Sequence, residues 1–543
     1  MSNTRSLKLL GRIVGEASPT EFLFVADKEN HPPKFEYVIV YSKEDVGGTV
    51  QKVQVLAQVT GVISRSTSYN IDLDLEALER MFHAGIEDVN VICQARTLGY
   101  MAEINGKKEI LIPRRAIYPG NEVYLAPDEL VQEFFSYPEE EGLHIGYLIS
   151  RSTIPVHISV NGFKRHLAIL AQTGAGKSYT VGVLVEELLA KGATIIIIDP
   201  HADYVFLSRK PDGTRYEYAD RIKIFRNPSS TGRYSKEELD NVYDYTIRFS
   251  DLTDEEICEI LEIPEKWTNI KAIISEALSE LKEEKGGDYT YKDLVSKLEE
   301  IAKSGNKKKA PHAFNALKHV KKLEKLKVFG EETTSIKEML KPVQLSVIDL
   351  SGLNDASMDY ITYRILNSCY NEVSSGNFQY PIFVIIEEAH KFIPRKREGR
   401  RMSREIINVI AAEGRKFGIF MTLISQRPSK IDPDALSQCN SQIILRVSNP
   451  MDQRAIMESS ERLSESLLRD LPGLNVGEAV IVGEVTKVPV MVKIRSRRTK
   501  EGGADIDILT KLKQAREEAK ILQEIEETQE KTVVQEGTMC SEV

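Results

Sequence analysis

Residues 166–192, HLAILAQTGAGKSYTVGVLVEELLAKG, constrain this chain more than any other stretch. A short apolar strand, His166 to Leu170, enters the glycine-bearing loop Gln172 to Gly176. Lys177, Ser178 and a helix follow, with apolar positions at Val181, Val183, Leu184, Val185, Leu188 and Leu189. In such a segment the glycines let successive backbone N–H groups turn in around phosphate oxygens, and the helix N-terminus adds partial positive charge. Thr173, Gly174, Ala175, Gly176, Lys177, Ser178 and Tyr179 therefore form a candidate nucleotide cradle, with Lys177 reaching the β and γ phosphates of ATP and Ser178 ligating Mg²⁺. Ala171 stands where the usual motif has its first glycine, so the strict pattern is missed by one residue. A turn that merely links a buried strand to a helix would not need the Lys-Ser pair at the helix start.

A chain of 543 residues is too long for one core and is expected to hold two or three domains. With 41% hydrophobic and 28% charged residues it has the composition of a soluble globular protein. Residues 1–20 lack the apolar core of a signal peptide, and the most apolar runs, Ala193 to Ile198 and Ile382 to Ile386, are strand-sized and stopped by carboxylates. A cytoplasmic location without membrane contact is the expectation. Five scattered cysteines show no zinc-ligand spacing, so no metal beyond Mg²⁺ is implied. A net charge of −9 argues against a uniformly basic nucleic-acid binder, while leaving room for a basic channel lined by a few loops.

Short β-branched runs separated by turns fill residues 1–126, which read as a small β-barrel for assembly or partner docking, with a helix only at Asp74 to His83. Residues 127–165, with Pro127, Pro138 and Pro155, read as a connector. Residues 166–226 and 342–499 read as an α/β core, because continuous apolar runs such as TIIIID mark strands buried on both faces of a parallel sheet. Residues 227–341 read as a helical insertion. It carries Lys303, Lys307, Lys308, Lys309, Lys318, Lys321 and Lys322, ordinarily a solvated face, with nucleic-acid contact as the alternative. Residues 500–543 form a Glu- and Lys-rich tail, helical in its first part.

The run Ile382 to Ile386 delivers Glu387 and Glu388 to the C-terminal end of a strand, where ligands of parallel sheets bind. Glu387 would hold the Mg²⁺ shell and Glu388 would polarise the attacking water. Asp199 ends another core strand and either orients metal-bound water or caps the turn at Pro200. Gln426 follows Ile419 to Ser425 and is placed to sense the γ-phosphate. Arg415 is the first choice, and Arg427 the second, for an arginine supplied to a neighbouring subunit; pairing with Glu413 is the ordinary alternative for Arg415. A polybasic stretch with Lys391, Arg395, Lys396, Arg397, Arg400 and Arg401 follows the paired acids and is the candidate contact to a DNA or RNA backbone.

The ordered motifs HLAILAQTGAGKS, IIIIDPHADY, SVIDLSGLN, FVIIEEAHKFIP, EGRKFGIFMTLISQRPSKIDP and LPGLNVGEAVIVGE resemble the HerA family of hexameric DNA-translocating ATPases, related to the FtsK pumps. The resemblance implies a RecA-like core, a homo-hexameric ring with ATP sites between subunits, and double-stranded DNA in its channel. It also implies a NurA-type nuclease docked on the barrel face for DNA-end resection in double-strand break repair. It carries roles onto Lys177, Ser178, Glu387, Glu388, Gln426 and Arg415 as above, places Arg165 on the nucleotide in cis, and lets Lys493 and Ile494 border the base. An FtsK-like or conjugation-type pump without a nuclease, and a nucleotide-gated scaffold with slow turnover, are the alternatives.

Overall fold

The computed structural model describes residues 7–86, 88–396, 401–503 and 508–539. The N-terminal runs form β1 (Leu9–Ala17), β2 (Glu21–Ala26), β3 (Tyr37–Val46), β4 (Thr49–Arg65), α1 (Leu75–His83), β5 (Asn90–Ile104), β6 (Lys107–Leu111) and β7 (Glu122–Leu125). The strands are ordered β2-β1-β7-β3-β4-β5, all antiparallel, and β2 also pairs with β5, which closes a six-stranded barrel that β6 extends. Alternate residues of β3 and β4, Val38 and Val40, then Val55, Ala57 and Val59, fill its interior. Asp74 caps α1 by accepting from the Ala77 N–H.

Next come α2 (Asp128–Phe135), β8 (Gly142–Leu148), β9 (Pro155–Ser159), β10 (Leu167–Leu170), α3 (Lys177–Ala190), β11 (Thr194–Asp199), β12 (Ile222–Arg226) and β13 (Val242–Asp244). An insertion then carries β14 (Ile247–Arg248), α4 (Asp254–Ile260), α5 (Thr268–Lys285), α6 (Tyr291–Lys303), α7 (Ala310–Val320), β15 (Phe329–Gly330) and α8 (Ile336–Met339). The chain continues through β16 (Leu345–Asp349), α9 (Asp355–Ser374), β17 (Ile382–Ile386), α10 (Met402–Phe417), β18 (Ile419–Ser425), α11 (Pro433–Ser437) and β19 (Ser441–Ile444). It closes with α12 (Pro450–Ser459), α13 (Glu465–Asp470), β20 (Glu478–Val482) and β21 (Val490–Ile494). The tail, a separate unit from Gly502 onward, contains α14 (Ile508–Met539).

Twelve core strands make one sheet in the order β13-β12-β16-β11-β17-β18-β10-β19-β20-β21-β8-β9. Pairing is parallel from β13 to β19 and antiparallel from there on. Ile195 and Ile197 of β11 face the α3 side, whereas Ile196 and Ile198 face α9 and α10, so both faces are covered, as the unbroken apolar run requires. Two expectations need correction. Residues 142–159 are not a connector but the outer strands β8 and β9, which extend the core sheet beyond β21. Residues 242–248, read as part of the helical insertion, contain the strands β13 and β14, in keeping with their Val, Tyr, Thr and Ile content.

A buried ionic knot fastens α3 to the last core strand. Glu186 and Glu187 accept from the Arg495 guanidinium at 2.9 and 2.7 Å, and Glu186 also accepts from the N–H groups of Arg498 and Thr499. Gly182 lets the Arg497 side chain cross the helix, since a Cβ there would lie 2.3 Å from its Nε. Arg495→Ala would strand Glu186, whose side chain is fully buried, without its counter-charge. Loss of about 3–5 kcal/mol of stability is expected, read as a lower denaturant midpoint.

Candidate active site

Four strand ends converge at the C-terminal edge of the parallel sheet: β10 leads into the glycine loop, β11 into Asp199, β17 into Glu387 and Glu388, and β18 into Gln426. Gly174 and Gly176 have φ of +74° and +96°, conformations that glycine adopts cheaply, and these turn the loop into the first turn of α3. The loop is braced from outside, because Gln172 N–H donates to the Arg446 carbonyl at 2.9 Å and Gly477 N–H donates to the Ala175 carbonyl at 3.1 Å.

Lys177, only 7% exposed, is the hub. Its ammonium donates to Glu387 Oε1 and, at 2.9 Å, to Glu388 Oε1. Burial would lower the Lys177 pKa, but the two carboxylates outweigh it and raise it, so the ammonium stays charged. Burial would likewise raise the Glu388 carboxyl; contacts with His390 and Lys177 prevail and hold it down at about 2. Glu388 has φ of +49°, a left-handed conformation that bends the chain after β17 and turns this carboxylate toward the loop. Gln426 joins the parts: its amide nitrogen donates to Glu388 Oε1 at 2.6 Å, and its carbonyl accepts from Thr173 Oγ1 at 2.5 Å. Glu388 Oε2 lies 3.1 Å from His390 Nδ1 but is a buried acceptor without a hydrogen-bond donor among the described residues.

The donor set suits magnesium held jointly with phosphates. Ser178 Oγ donates to Asp203 Oδ2 at 2.9 Å, and Tyr204 OH donates to Glu387 Oε2 at 2.7 Å, so a hydroxyl and two carboxylates lie at the start of α3. Among the described residues no group of three or more His, Cys, Asp or Glu side chains is placed to hold a metal ion.

Several roles expected from the motifs change once the side chains are placed. Asp199 is fully buried and accepts from the N–H groups of His201, Asp203 and Tyr204 at 3.2, 3.1 and 2.9 Å. Its carboxylate shapes the turn that presents Asp203 and Tyr204, in keeping with the turn-capping alternative. Sequence reasoning misses Asp203, Tyr204 and His390; the only signal is their proximity in sequence to Asp199 and Glu388. Tyr179 points its hydroxyl at the Arg497 N–H, 2.7 Å away, rather than into the loop. Lys493 Nζ donates to the Val476 carbonyl at 2.5 Å and Ile494 N–H to the Gly477 carbonyl at 2.9 Å, beside the contact that Gly477 makes with Ala175. Of the basic stretch, Lys391 Nζ lies 3.4 Å from His201 Nε2, Arg395 and Lys396 are exposed, and Arg401 lies 3.6 Å from Asp355. Arg397 and Arg400 lie outside the described residues.

The opposite edge of the sheet holds the two remaining arginines. Arg165 precedes β10 and Arg415 ends α10 just before β18, both exposed and without an ion pair among the described residues. At about 3.3 Å per residue, the length of β10 alone separates Arg165 from its own glycine loop by more than an arginine's reach, so a cis role is not supported. Arg427, by contrast, sits on the loop's own edge, after β18. Glu413, the expected surface partner of Arg415, instead accepts from Tyr370 OH at 3.2 Å.

His166 joins these two arginines. It has φ of +54°, its Nδ1 accepts from the Met421 N–H of β18 at 3.0 Å, and its Nε2 therefore carries the hydrogen donated to the Ala411 carbonyl of α10 at 3.1 Å. Burial first, and the Arg415 charge in addition, push its pKa down to about 4 despite the Ala411 contact. An unfolded histidine titrates near 6.5, so below that pH the unfolded chain binds the extra proton. The His166 contribution to stability is complete above pH 6.5 and falls by about 1.4 kcal/mol per pH unit as pH drops toward 4. Denaturation midpoints of wild type and His166→Asn should converge between pH 6.5 and 5; parallel curves would show that this ring is not held neutral.

Comparison with known proteins points one way. A family model described as "Helicase HerA, central domain" matches residues 143–369. The DNA double-strand break repair helicase HerA of Pyrococcus furiosus is 30% identical over 566 aligned positions, covering 92% of this chain and 96% of the relative. A probable DNA double-strand break repair helicase HerA of Methanocaldococcus jannaschii is 31% identical, covering 75% of this chain and 86% of its own. Among solved structures, VirB4 of Thermoanaerobacter pseudethanolicus superposes over 66% of this chain and 97% of its own, with 15% identity and a TM-score of 0.44.

Proposed function

Given that this chain belongs to the HerA family of helicases and carries a P-loop ATPase core, we propose that it is a ring motor that hydrolyses ATP to move on or unwind double-stranded DNA. The observation that carries this reading is the separation of parts within one chain. Lys177, Glu388, Gln426 and Thr173 lie on one edge of the sheet, and Arg165 and Arg415 lie exposed on the other. Stacking one subunit's arginine edge against the next subunit's glycine loop completes each site and closes a homo-hexamer.

In that site the loop N–H groups and Lys177 hold the phosphates, and binding them draws the ammonium away from the two glutamates. Magnesium, when bound by Ser178 and the Glu387 side, neutralises charge on the phosphate oxygens. Glu388, ionised at neutral pH, orients the attacking water and accepts its proton. Gln426 links the γ-phosphate position to Thr173 and Glu388. Arg415 and Arg165 of the neighbouring subunit stabilise charge on the transferred phosphoryl group. Lys391, Arg395 and Lys396 follow Glu388 in the chain and would pass the nucleotide state to a DNA backbone. The barrel offers a separate surface for a NurA-type nuclease, which joins the motor to end resection in double-strand break repair.

Glu388→Gln keeps both hydrogen-bonding partners but removes the base. It should bind ATP normally and turn over at least about 100-fold more slowly. Arg415→Ala subunits should be equally slow, yet mixing them with Glu388→Gln subunits should restore part of the rate, because some interfaces then pair an intact glutamate with an intact arginine. No recovery in rings shown by mass spectrometry to be mixed would refute the trans assignment.

A further inference from the structure

The insertion contains a cleft of about 490 Å³ that the ATPase reading does not use, between the N-terminus of α5 and the exposed side of α7. It is lined by Lys266, Trp267, His312, Asn315, Lys318 and His319, among others, and by no carboxylate. In a chain of net charge −9 that exclusion is informative, and the surrounding lysines sharpen it. Lys309 is paired with Glu276, Lys321 lies 3.8 Å from Glu299, and Lys297 is surrounded by Glu280, Glu284 and Glu300. Lys266 and Lys318 have no ion pair among the described residues. Within the insertion, then, Lys309 and Lys321 lie near carboxylates, whereas Lys266 and Lys318 line the cleft without an ion pair among the described residues.

Aromatic residues accompany Lys266 and Lys318. Trp267, the single tryptophan of the chain, stays 38% exposed, with its ring centroid 5.5 Å from that of His319 in an edge-on contact. Phe314 is 59% exposed beside the cleft, and Lys318 Nζ lies 5.1 Å from its ring centroid. His319 Nδ1 is buried with no hydrogen-bond partner among the described residues. Two lysines without ion pairs beside a partly exposed indole match a base together with its phosphate. A duplex keeps its bases stacked and paired, so it can offer this cleft only phosphates.

We infer that the cleft between α5 and α7 binds single-stranded nucleic acid, with a base against Trp267 and backbone phosphates between Lys266 and Lys318. This holds without any assumption about the ATP site. A displaced strand or a resected end is a ligand of this class.

Because Trp267 is unique, its emission reads this cleft alone in the intact protein. Oligothymidylate of about a dozen nucleotides, long enough to span a typical single-strand site, should quench it saturably, equally in wild type and in Lys177→Ala. A double variant, Lys266→Gln with Lys318→Gln, keeps the reporter and changes only side chains without an ion pair among the described residues. Its basal ATP turnover should be unchanged, its affinity about tenfold or more weaker, and the slope of log affinity against log salt smaller by about 1.4, two phosphate contacts' worth. Absence of quenching would overturn the inference. So would equal quenching by a blunt duplex of the same length or by free thymidine monophosphate, or an unchanged midpoint in the double variant.

Discussion

One buried ammonium organises the catalytic edge. Lys177 begins the helix after the glycine loop, yet its partners Glu387 and Glu388 come from a strand more than 200 residues later. Parallel pairing of β17, β18 and β10 in register brings those ends together, and the charge of Lys177 then fixes which way both carboxylates face. Losing one member would leave the others charged and dry, at a cost of about 3–5 kcal/mol, so the cluster ties folding to function. The knot of Glu186, Glu187 and Arg495 does the same for the far side of α3, holding the helix that carries the loop against β8 and β21.

The other consequence of a parallel sheet is that its two edges differ. Phosphate-binding and water-activating groups collect where the strands end, and Arg165 and Arg415 sit where strands β10 and β18 begin. His166 spans from β18 to α10 beside them. The strand that leads into Gln426 thus begins beside the arginines proposed for the next subunit's site. In the proposed ring that strand would be a rigid element between two nucleotide sites, as sites that act in turn require.

Much of this is legible in the sequence because it is local. The loop, the paired glutamates and Gln426 each follow an apolar run of strand length, and period and punctuation suffice to place them. The barrel is equally readable from its short alternating runs. What escapes depends on distant partners. Residues 142–159 look like a linker because β8 finds β21 more than 300 residues away. Asp199 looks catalytic because a strand-end carboxylate usually is, and only the turn at 201–204 reveals where its acceptor capacity goes. The cis role of Arg165 comes from the family resemblance alone, and the length of β10 sets this residue apart from its own loop. Among the insertion's lysines, the sequence does not show that Lys309 and Lys321 lie near Glu276 and Glu299.

The central claim is that ATP turnover at the Lys177–Glu388 site is coupled to duplex DNA. The most direct measurement is the steady-state ATPase rate with and without linear duplex DNA across a salt series, using Lys177→Ala as the blank. The rate should rise with DNA, lose that stimulation as salt releases the phosphate contacts, and vanish in the blank. A rate that depends on Lys177 but is indifferent to DNA at every salt concentration would contradict it.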